Sequence, residues 1–121
     1  PLTRSGEVLL CPIKSRHNER CGLPMKFIQI ESSELLESTR YIVKALDLDW
    51  IVNAQFIGEY LIELNPRIST QIFAPALNIP YLAIKLLLEE ITPDEVRDGS
   101  SKIKFGQTSV RYYNQIFFDD K

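Results

Sequence analysis

The segment YLIELNPRIST, residues 60–70, constrains the fold more than any other part of this chain. Its first half alternates at a period of two, which is typical of a β-strand. One face of that strand is apolar and is expected to face the core, and it carries Tyr60, Ile62 and Leu64. Glu63 and Asn65 share the other face. With the preceding run WIVNAQF and Gly58 between them, the pattern predicts a β-hairpin with one polar face.

The polar face of this hairpin predicts a magnesium site. Glu63 and Asn65 are two residues apart, so their side chains project to the same side about 7 Å apart along the strand. A carboxylate oxygen and an amide oxygen then face a common space. Mg²⁺ accepts such hard oxygen ligands when waters and substrate phosphates supply the others.

Whether the first strand adds ligands depends on the hairpin loop. If the loop is Ile57 and Gly58 alone, Gln55 lies opposite Tyr60 and points to the core face. If the loop is residues 57–59, Gln55 opposes Leu61, Asn53 opposes Glu63, and the polar groups converge. The functional interpretation therefore predicts an odd-numbered loop or an equivalent bulge.

Arg67 follows Pro66, which holds Asn65 in extended geometry and so fixes where the chain leaves the strand. Its guanidinium could grip a phosphate bidentately at the edge of the metal site. The alternative is an exposed Glu63–Arg67 ion pair, with Asn65 and Pro66 serving only to end the strand.

The rest of the chain alternates strands and helices, which predicts an α+β domain with a mainly antiparallel sheet and helices packed on one face. GEVLLCPIKS and KFIQIE are predicted strands, and SRHNERCGLP between them is a predicted loop. The first helix is predicted to begin at Ser32 or Ser33. Its expected inner face comprises Leu35, Thr39, Ile42, Val43 and Leu46.

The second half of the chain shows further helix signals. A helical turn or two is predicted before Pro75, a longer helix begins near Pro80, and a short third helix follows a Thr92 capping box. Leu82, Leu86 and Ile79 or Leu87 are expected to pack inward from the longer helix. DGSSK is predicted to be a turn or mobile loop, and SVRYYNQIFF is a predicted closing strand.

Composition excludes several classes of function. The 121 residues carry a net charge of -2 and no long basic run, so nucleic acid is not an expected partner. The longest apolar run, residues 79–88, contains Pro80 and Lys85 and is too short to span a bilayer. Cys11 and Cys21 are interpreted as free thiols in a reducing compartment, which with no secretory signal pattern predicts a cytoplasmic protein.

The order of motifs NAQF, a glycine-containing hairpin, LIELNPRIS, APALNIP and an apolar helix resembles the C-terminal part of an ATP-grasp domain. This fold occurs in carbamoyl-phosphate synthetases and related carboxylate ligases, and the similarity extends from about Gly6 to Glu95. The resemblance implies that Gln55, Glu63 and Asn65 hold the Mg²⁺ of ATP and that Arg67 contacts phosphate.

The resemblance also implies a reaction. ATP would phosphorylate a small-molecule carboxylate, and an amine or similar nucleophile would displace phosphate from the acyl phosphate. Arg16 and Arg20, in the predicted loop, are candidates to hold the substrate carboxylate or the transferring phosphoryl group. His17 between them is interpreted as a surface residue.

Residues 1–121 are expected to form a single domain that corresponds to the C-terminal half of an ATP-grasp domain and is inactive alone. The N-terminal half of the same protein would supply the lysines and glycine-rich loop that cover the phosphates. The alternative is a non-enzymatic α+β interaction module whose strand edges pair with that half or with a second copy in a homodimer.

Overall fold

A computed structural model describes residues 1–20, 23–69 and 77–110 of the chain. The strands are β1 (Leu2–Arg4), β2 (Glu7–Leu10), β3 (Ile13–Arg20), β4 (Leu23–Ile30), β5 (Trp50–Ile51), β6 (Asn53–Ile57), β7 (Tyr60–Asn65) and β8 (Thr108–Val110). The helices are α1 (Ser33–Ala45), α2 (Ile79–Leu87) and α3 (Pro93–Asp98), and a 3₁₀ turn covers Gly99–Lys102.

The described strands form three small antiparallel sheets, ordered β2-β1-β5, β3-β4-β8 and β6-β7. The α+β class with antiparallel pairing is therefore confirmed, but the pairing is divided among three sheets. All three helices contact the first sheet, since α1 and α3 pack against β2 and α2 packs against β5.

The first sheet begins with a hairpin that the sequence analysis did not predict. Ser5 and Gly6 both have positive φ, 49° and 70°, as a type I′ turn requires. The predicted strand GEVLLCPIKS is interrupted after Leu10, because Pro12 has no N–H group to donate to a ladder. Cys11 therefore lies between two strands rather than within one, and burial raises the pKa of its free thiol.

The prediction of a loop at SRHNERCGLP is wrong. β3 continues to Arg20, and it pairs with β4 from Ile13↔Ile30 to Arg20↔Leu23. Pairing with β4 gives the backbone N–H and C=O groups of this polar stretch partners in the ladder, and these hydrogen bonds outweigh the weak strand propensity of its residues.

Helix α1 begins as predicted, because the hydroxyl of Ser32 accepts a hydrogen bond from the Leu35 N–H at 3.2 Å. Thr39 and Val43 of its expected inner face are buried. Leu46, at the C-cap, is 57% exposed, so the predicted face extends one residue too far.

Helices α2 and α3 supply half of the main core. Ile79, Ala83 and Leu86 pack with Val96 against Leu2 and other residues of the first sheet. The predicted capping box at Thr92 is present in full, and Leu82 packs at the edge of this core. The segment DGSSK, predicted as a turn or mobile loop, comprises the last residue of α3 and the 3₁₀ turn.

Two predictions lie outside the described residues: the helical turns before Pro75 and most of the closing strand after Val110. Cys21 also lies outside them. Among the described helices, none has both the length and the apolar character needed to cross a membrane.

Candidate functional site

The β6–β7 hairpin has a loop that differs from both predicted alternatives. Ile57 pairs with Tyr60, so Gly58 and Glu59 alone form the loop. Gly58 has a φ of 57°, which suits the first central position of a type II′ turn. An even loop by itself would place Gln55 opposite Ile62.

A β-bulge on β7 changes which residues of the two strands lie opposite each other. Phe56 pairs with Leu61, but the next pair is Gln55↔Glu63, so Ile62 is the extra residue on β7. Beyond the bulge, Asn53 lies opposite Asn65. This is the equivalent bulge that the functional interpretation required.

The bulge brings the polar side chains onto one face, because directly opposed residues of an antiparallel pair share a face. The Gln55 amide Nε2 donates a hydrogen bond to the Glu63 carboxylate Oε2. Asn53 opposes Asn65 rather than Glu63, so both amides lie at the open end of the hairpin. One carboxylate and three amides thus line this face.

Asn65 provides the clearest sign that a group is accommodated here. Its side-chain Nδ2 is buried and has no hydrogen-bond partner among the described residues. A buried amide N–H group without a partner costs free energy, and contact with a polar group of a ligand would offset that cost. Because the amide can turn by 180°, either its oxygen or its nitrogen can meet that group.

Arg67 lies just beyond the strand. The Arg67 N–H donates to the Asn65 carbonyl at 2.8 Å, which closes a tight turn at Pro66. The exposed guanidinium donates to the neighbouring Ile68 carbonyl at 3.3 Å. Within the described residues Glu63 and Arg67 form no ion pair, so the structure does not contain the ion pair of the alternative interpretation.

The predicted core face of β7 is wrong. Tyr60 is 80% exposed and Ile62 is 50% exposed, and only Leu64 of the expected face is partly buried. The hairpin is a separate two-stranded sheet, and the apolar side chains near its loop, Ile57, Tyr60 and Ile62, are exposed.

The arginines predicted to act with the hairpin lie in β3 rather than in a loop. Arg16 is exposed within β3. Arg20 is the last residue of β3, and its side chain lies outside the described part of the structure. On the opposite side of the strand, Ser15 Oγ lies 3.0 Å from Nε2 of the exposed His17.

Lys14 is a candidate that the sequence analysis missed. It stands two residues before Arg16, so the two side chains share a face of β3. Burial lowers the pKa of the Lys14 ammonium. Lys14 also lines a cavity beside the hairpin together with Asn53 and Ser69. Lys14 lies in the predicted strand GEVLLCPIKS, but that prediction ended the strand before Arg16 and so did not place the two cations on one face.

The ligands available for a metal are limited. No three His, Cys, Asp or Glu side chains come together among the described residues. The hairpin therefore offers one carboxylate and neutral amides, a set that suits Mg²⁺ only if phosphates and waters complete the coordination.

Comparisons of the chain with protein-family models, with curated proteins and with solved structures find no match.

Proposed function

We propose that the β6–β7 hairpin is the metal- and phosphate-binding element of a Mg-ATP site in an ATP-grasp ligase. The observation that carries the proposal is the bulge at Ile62, which places Gln55 opposite Glu63 and Asn53 opposite Asn65. A bulge that re-aims side chains is a costly local feature and is frequent beside functional sites.

The donors fit the proposed ligand. Glu63 supplies the negative charge, and Gln55 and Asn65 supply amide oxygens after rotation of their side chains. The buried Asn65 Nδ2, which has no partner among the described residues, supports a polar ligand group at this position. Mg²⁺, when bound there with ATP, would neutralise charge on the phosphate oxygens.

The cations of the chain would act on the transferred group. The Arg67 guanidinium is exposed and forms no carboxylate ion pair among described residues, so it is available to hold a phosphate. Arg16 and Arg20 are proposed to hold the substrate carboxylate or to stabilise the phosphoryl group as it moves.

The proposed reaction joins two steps. A carboxylate oxygen of the substrate attacks the γ-phosphorus of ATP and releases ADP, and an amine or similar nucleophile then displaces phosphate from the acyl phosphate. The rest of the nucleotide pocket would come from the N-terminal half of the same protein, in the cytoplasm. The 121 residues alone are proposed to be inactive.

Paramagnetic Mn²⁺ tests the metal site without requiring turnover. In the ¹⁵N-labelled chain with ATP, substoichiometric Mn²⁺ should broaden the amide signals of residues 53–55 and 63–65 first. Glu63→Ala should weaken this effect at least about tenfold, because a charged ligand is lost. Glu59→Ala removes a carboxylate from the same hairpin and should leave the effect unchanged. Equal broadening in both variants would refute the metal assignment.

A second candidate function rests on a different observation. Large apolar side chains are exposed on the hairpin, on α2 and at the C-cap of α2: Ile57, Tyr60, Leu61, Ile62, Tyr81, Ile84, Leu87 and Leu88. Such surfaces are typical of interaction sites. A non-enzymatic interaction or dimerisation module is therefore the alternative. Sedimentation of the unchanged chain and of Ile62→Ser tests the dimerisation module. The unchanged chain should self-associate and the variant should do so less, whereas a monomeric unchanged chain at high concentration would contradict self-association.

A further inference from the structure

A serine and a histidine lie side by side on one face of β3. Ser15 Oγ lies 3.0 Å from Nε2 of His17 and 3.4 Å from the carbonyl oxygen of Ile28. The two residues are two positions apart in an extended strand, so their side chains project to the same side of the sheet. Arg16 stands between them in the sequence and projects to the other side. The pair is therefore separate from the cation that the proposed function places on this strand.

The geometry of the pair fits a nucleophile and its base. The Ser15 hydroxyl has one proton to donate, and Nε2 of His17 is the nearer of its two acceptors. Nε2 accepts this proton when the imidazole carries its own proton on Nδ1. A serine hydroxyl that donates to a histidine nitrogen is positioned for general-base activation, and 3.0 Å lies within the distance that such activation requires.

The neighbouring strands add a cation and an apolar side chain to this face. His17 lies opposite Lys26 in the ladder, and Ser15 lies opposite Ile28. Directly opposed residues share a face with Cβ atoms about 5 Å apart, so the long Lys26 side chain can bring its ammonium to a group bonded to Ser15. On β8, Val110 lies opposite Lys26 and is 66% exposed. A nucleophile, a base and a cation thus share one face of the β3-β4-β8 sheet.

We infer that Ser15, His17 and Lys26 form a reactive site that transfers the acyl group of a small ester to water. Ser15 Oγ attacks the carbonyl carbon, and its proton passes to Nε2 of His17. The Lys26 ammonium stabilises the negative oxygen of the tetrahedral intermediate. The bond to the leaving group then breaks, and Nε2 gives its proton to the departing alkoxide, which leaves the acyl group on Ser15.

Water completes the reaction. His17 takes a proton from the water as its oxygen attacks the acyl ester on Ser15. The bond between the acyl carbon and Ser15 Oγ breaks, the proton returns to Oγ, and the carboxylic acid is released. The net reaction consumes one ester and one water and gives one acid and one alcohol.

The position of the site determines the class of substrate. His17 and Val110 are exposed, so an unhindered ester can approach Ser15 from solvent. The partly buried Ile28 opposite Ser15 offers an apolar contact for a short acyl chain. An uncharged ester of a short aliphatic acid therefore fits this face.

A fluorophosphonate tests the nucleophile without requiring turnover. Ser15 Oγ should displace fluoride from phosphorus while His17 takes its proton, and mass spectrometry of the digested chain locates the phosphonate ester. His17→Gln should slow the labelling of Ser15 at least about a hundredfold, because the general base is lost. Lys26→Met should slow it about tenfold, because the oxyanion loses a charged partner. Ser101→Ala is the matched control, since this exposed hydroxyl donates to the Asp98 carbonyl, and Ser15 should label as in the unchanged chain.

Hydrolysis of p-nitrophenyl acetate measures turnover. Ser15→Ala keeps the His17 imidazole and should lower the rate at least about tenfold, because the nucleophile is lost. An equal rate in Ser15→Ala would mean that the imidazole alone attacks the ester, and it would overturn the assignment. Equal labelling of Ser15 in His17→Gln would do the same. So would labelling of Ser101 as fast as Ser15 in the unchanged chain, a comparison that requires no variant to fold.

This inference does not rest on the proposed function, and the two fail separately. Labelling of Ser15 requires neither metal nor nucleotide, whereas the Mn²⁺ effect requires both. Labelling of Ser15 without any Mn²⁺ effect in the unchanged chain would refute the metal site alone. The Mn²⁺ effect without labelling of Ser15 would refute the reactive site alone.

Discussion

The substitution Thr3→Val removes one buried hydroxyl and should destabilise the segment between α1 and β5, which precedes the β6–β7 hairpin. Thr3 is fully buried, and its Oγ1 lies within hydrogen-bond distance of the carbonyls of Leu48 at 2.9 Å and Trp50 at 3.1 Å. The turn that it holds is strained, because Asp47 and Trp50 adopt positive φ values of 48° and 69°.

The expected loss is about 1–2 kcal/mol in the free energy of unfolding. One net hydrogen bond contributes about 0.5–1.5 kcal/mol, and a buried carbonyl left without a donor costs about 1–3 kcal/mol. Valine has nearly the same shape, and its additional buried methyl group returns up to about 0.8 kcal/mol. For a domain of this size, the melting temperature should fall by roughly 4 °C per kcal/mol.

Urea unfolding followed by circular dichroism measures this change. Thr39→Val is the matched control, since Thr39 is also buried and its hydroxyl donates to Leu35 O at 2.7 Å. That carbonyl lies four residues earlier in α1 and retains its helical hydrogen bond, so the loss should be smaller. Hydrogen exchange at the Val52 amide, which donates to Pro1 O at 2.9 Å, should accelerate in Thr3→Val alone. Equal losses in the two variants would refute the reasoning.

Three further changes test the packing, a helix cap and a carboxyl pair. Leu86→Ala should cost about 3–4 kcal/mol in urea unfolding, because Leu86 is 4% exposed in the core, whereas Leu87→Ala at 56% exposure should cost under about 1 kcal/mol. Equal costs would contradict the assigned core face of α2. Thr92→Ala should remove the N-cap of α3 and cost about 1 kcal/mol by the same assay, and no measurable loss would contradict a stabilising cap. Protonated Glu34 donates a hydrogen bond to the Glu59 carboxylate, which raises the pKa of Glu34 above its ordinary value of 4.5, so this contact stabilises the fold at low pH. The contribution is lost as pH rises through the raised pKa, and Glu59→Gln should flatten this part of the pH–stability profile. An unchanged profile would exclude the pair as its cause.

Local sequence signals predicted the helix starts and the hairpin. Ser32 and Thr92 cap their helices through N–H groups three residues away, so every atom involved lies within one turn. Gly58 marks the hairpin loop because its positive φ is a property of the residue itself. These features need no distant partner. Both caps and a hairpin at Gly58 are present, although the loop residues differ from both predicted alternatives.

Features that depend on strand pairing and packing could not be predicted in the same way. The polar stretch after Lys14 becomes a strand only because β4 offers it a partner, which places Arg16 on the same face of the ladder as Lys14. Tyr60 and Ile62 are exposed although they lie on the face that was expected to be buried. Strand alternation predicts which side chains share a face, but it does not predict which face another element covers.

The amino-acid sequence by itself determined that this chain contains a hairpin with Gln55, Glu63 and Asn65 on its strands, because strand period and turn chemistry are local properties. Only the tertiary structure decided that these side chains converge. The even loop would have separated them, and the bulge at Ile62 reverses the parity. A bulge depends on the register in which two strands pair. A one-residue shift in that register decides which face of the sheet each side chain occupies.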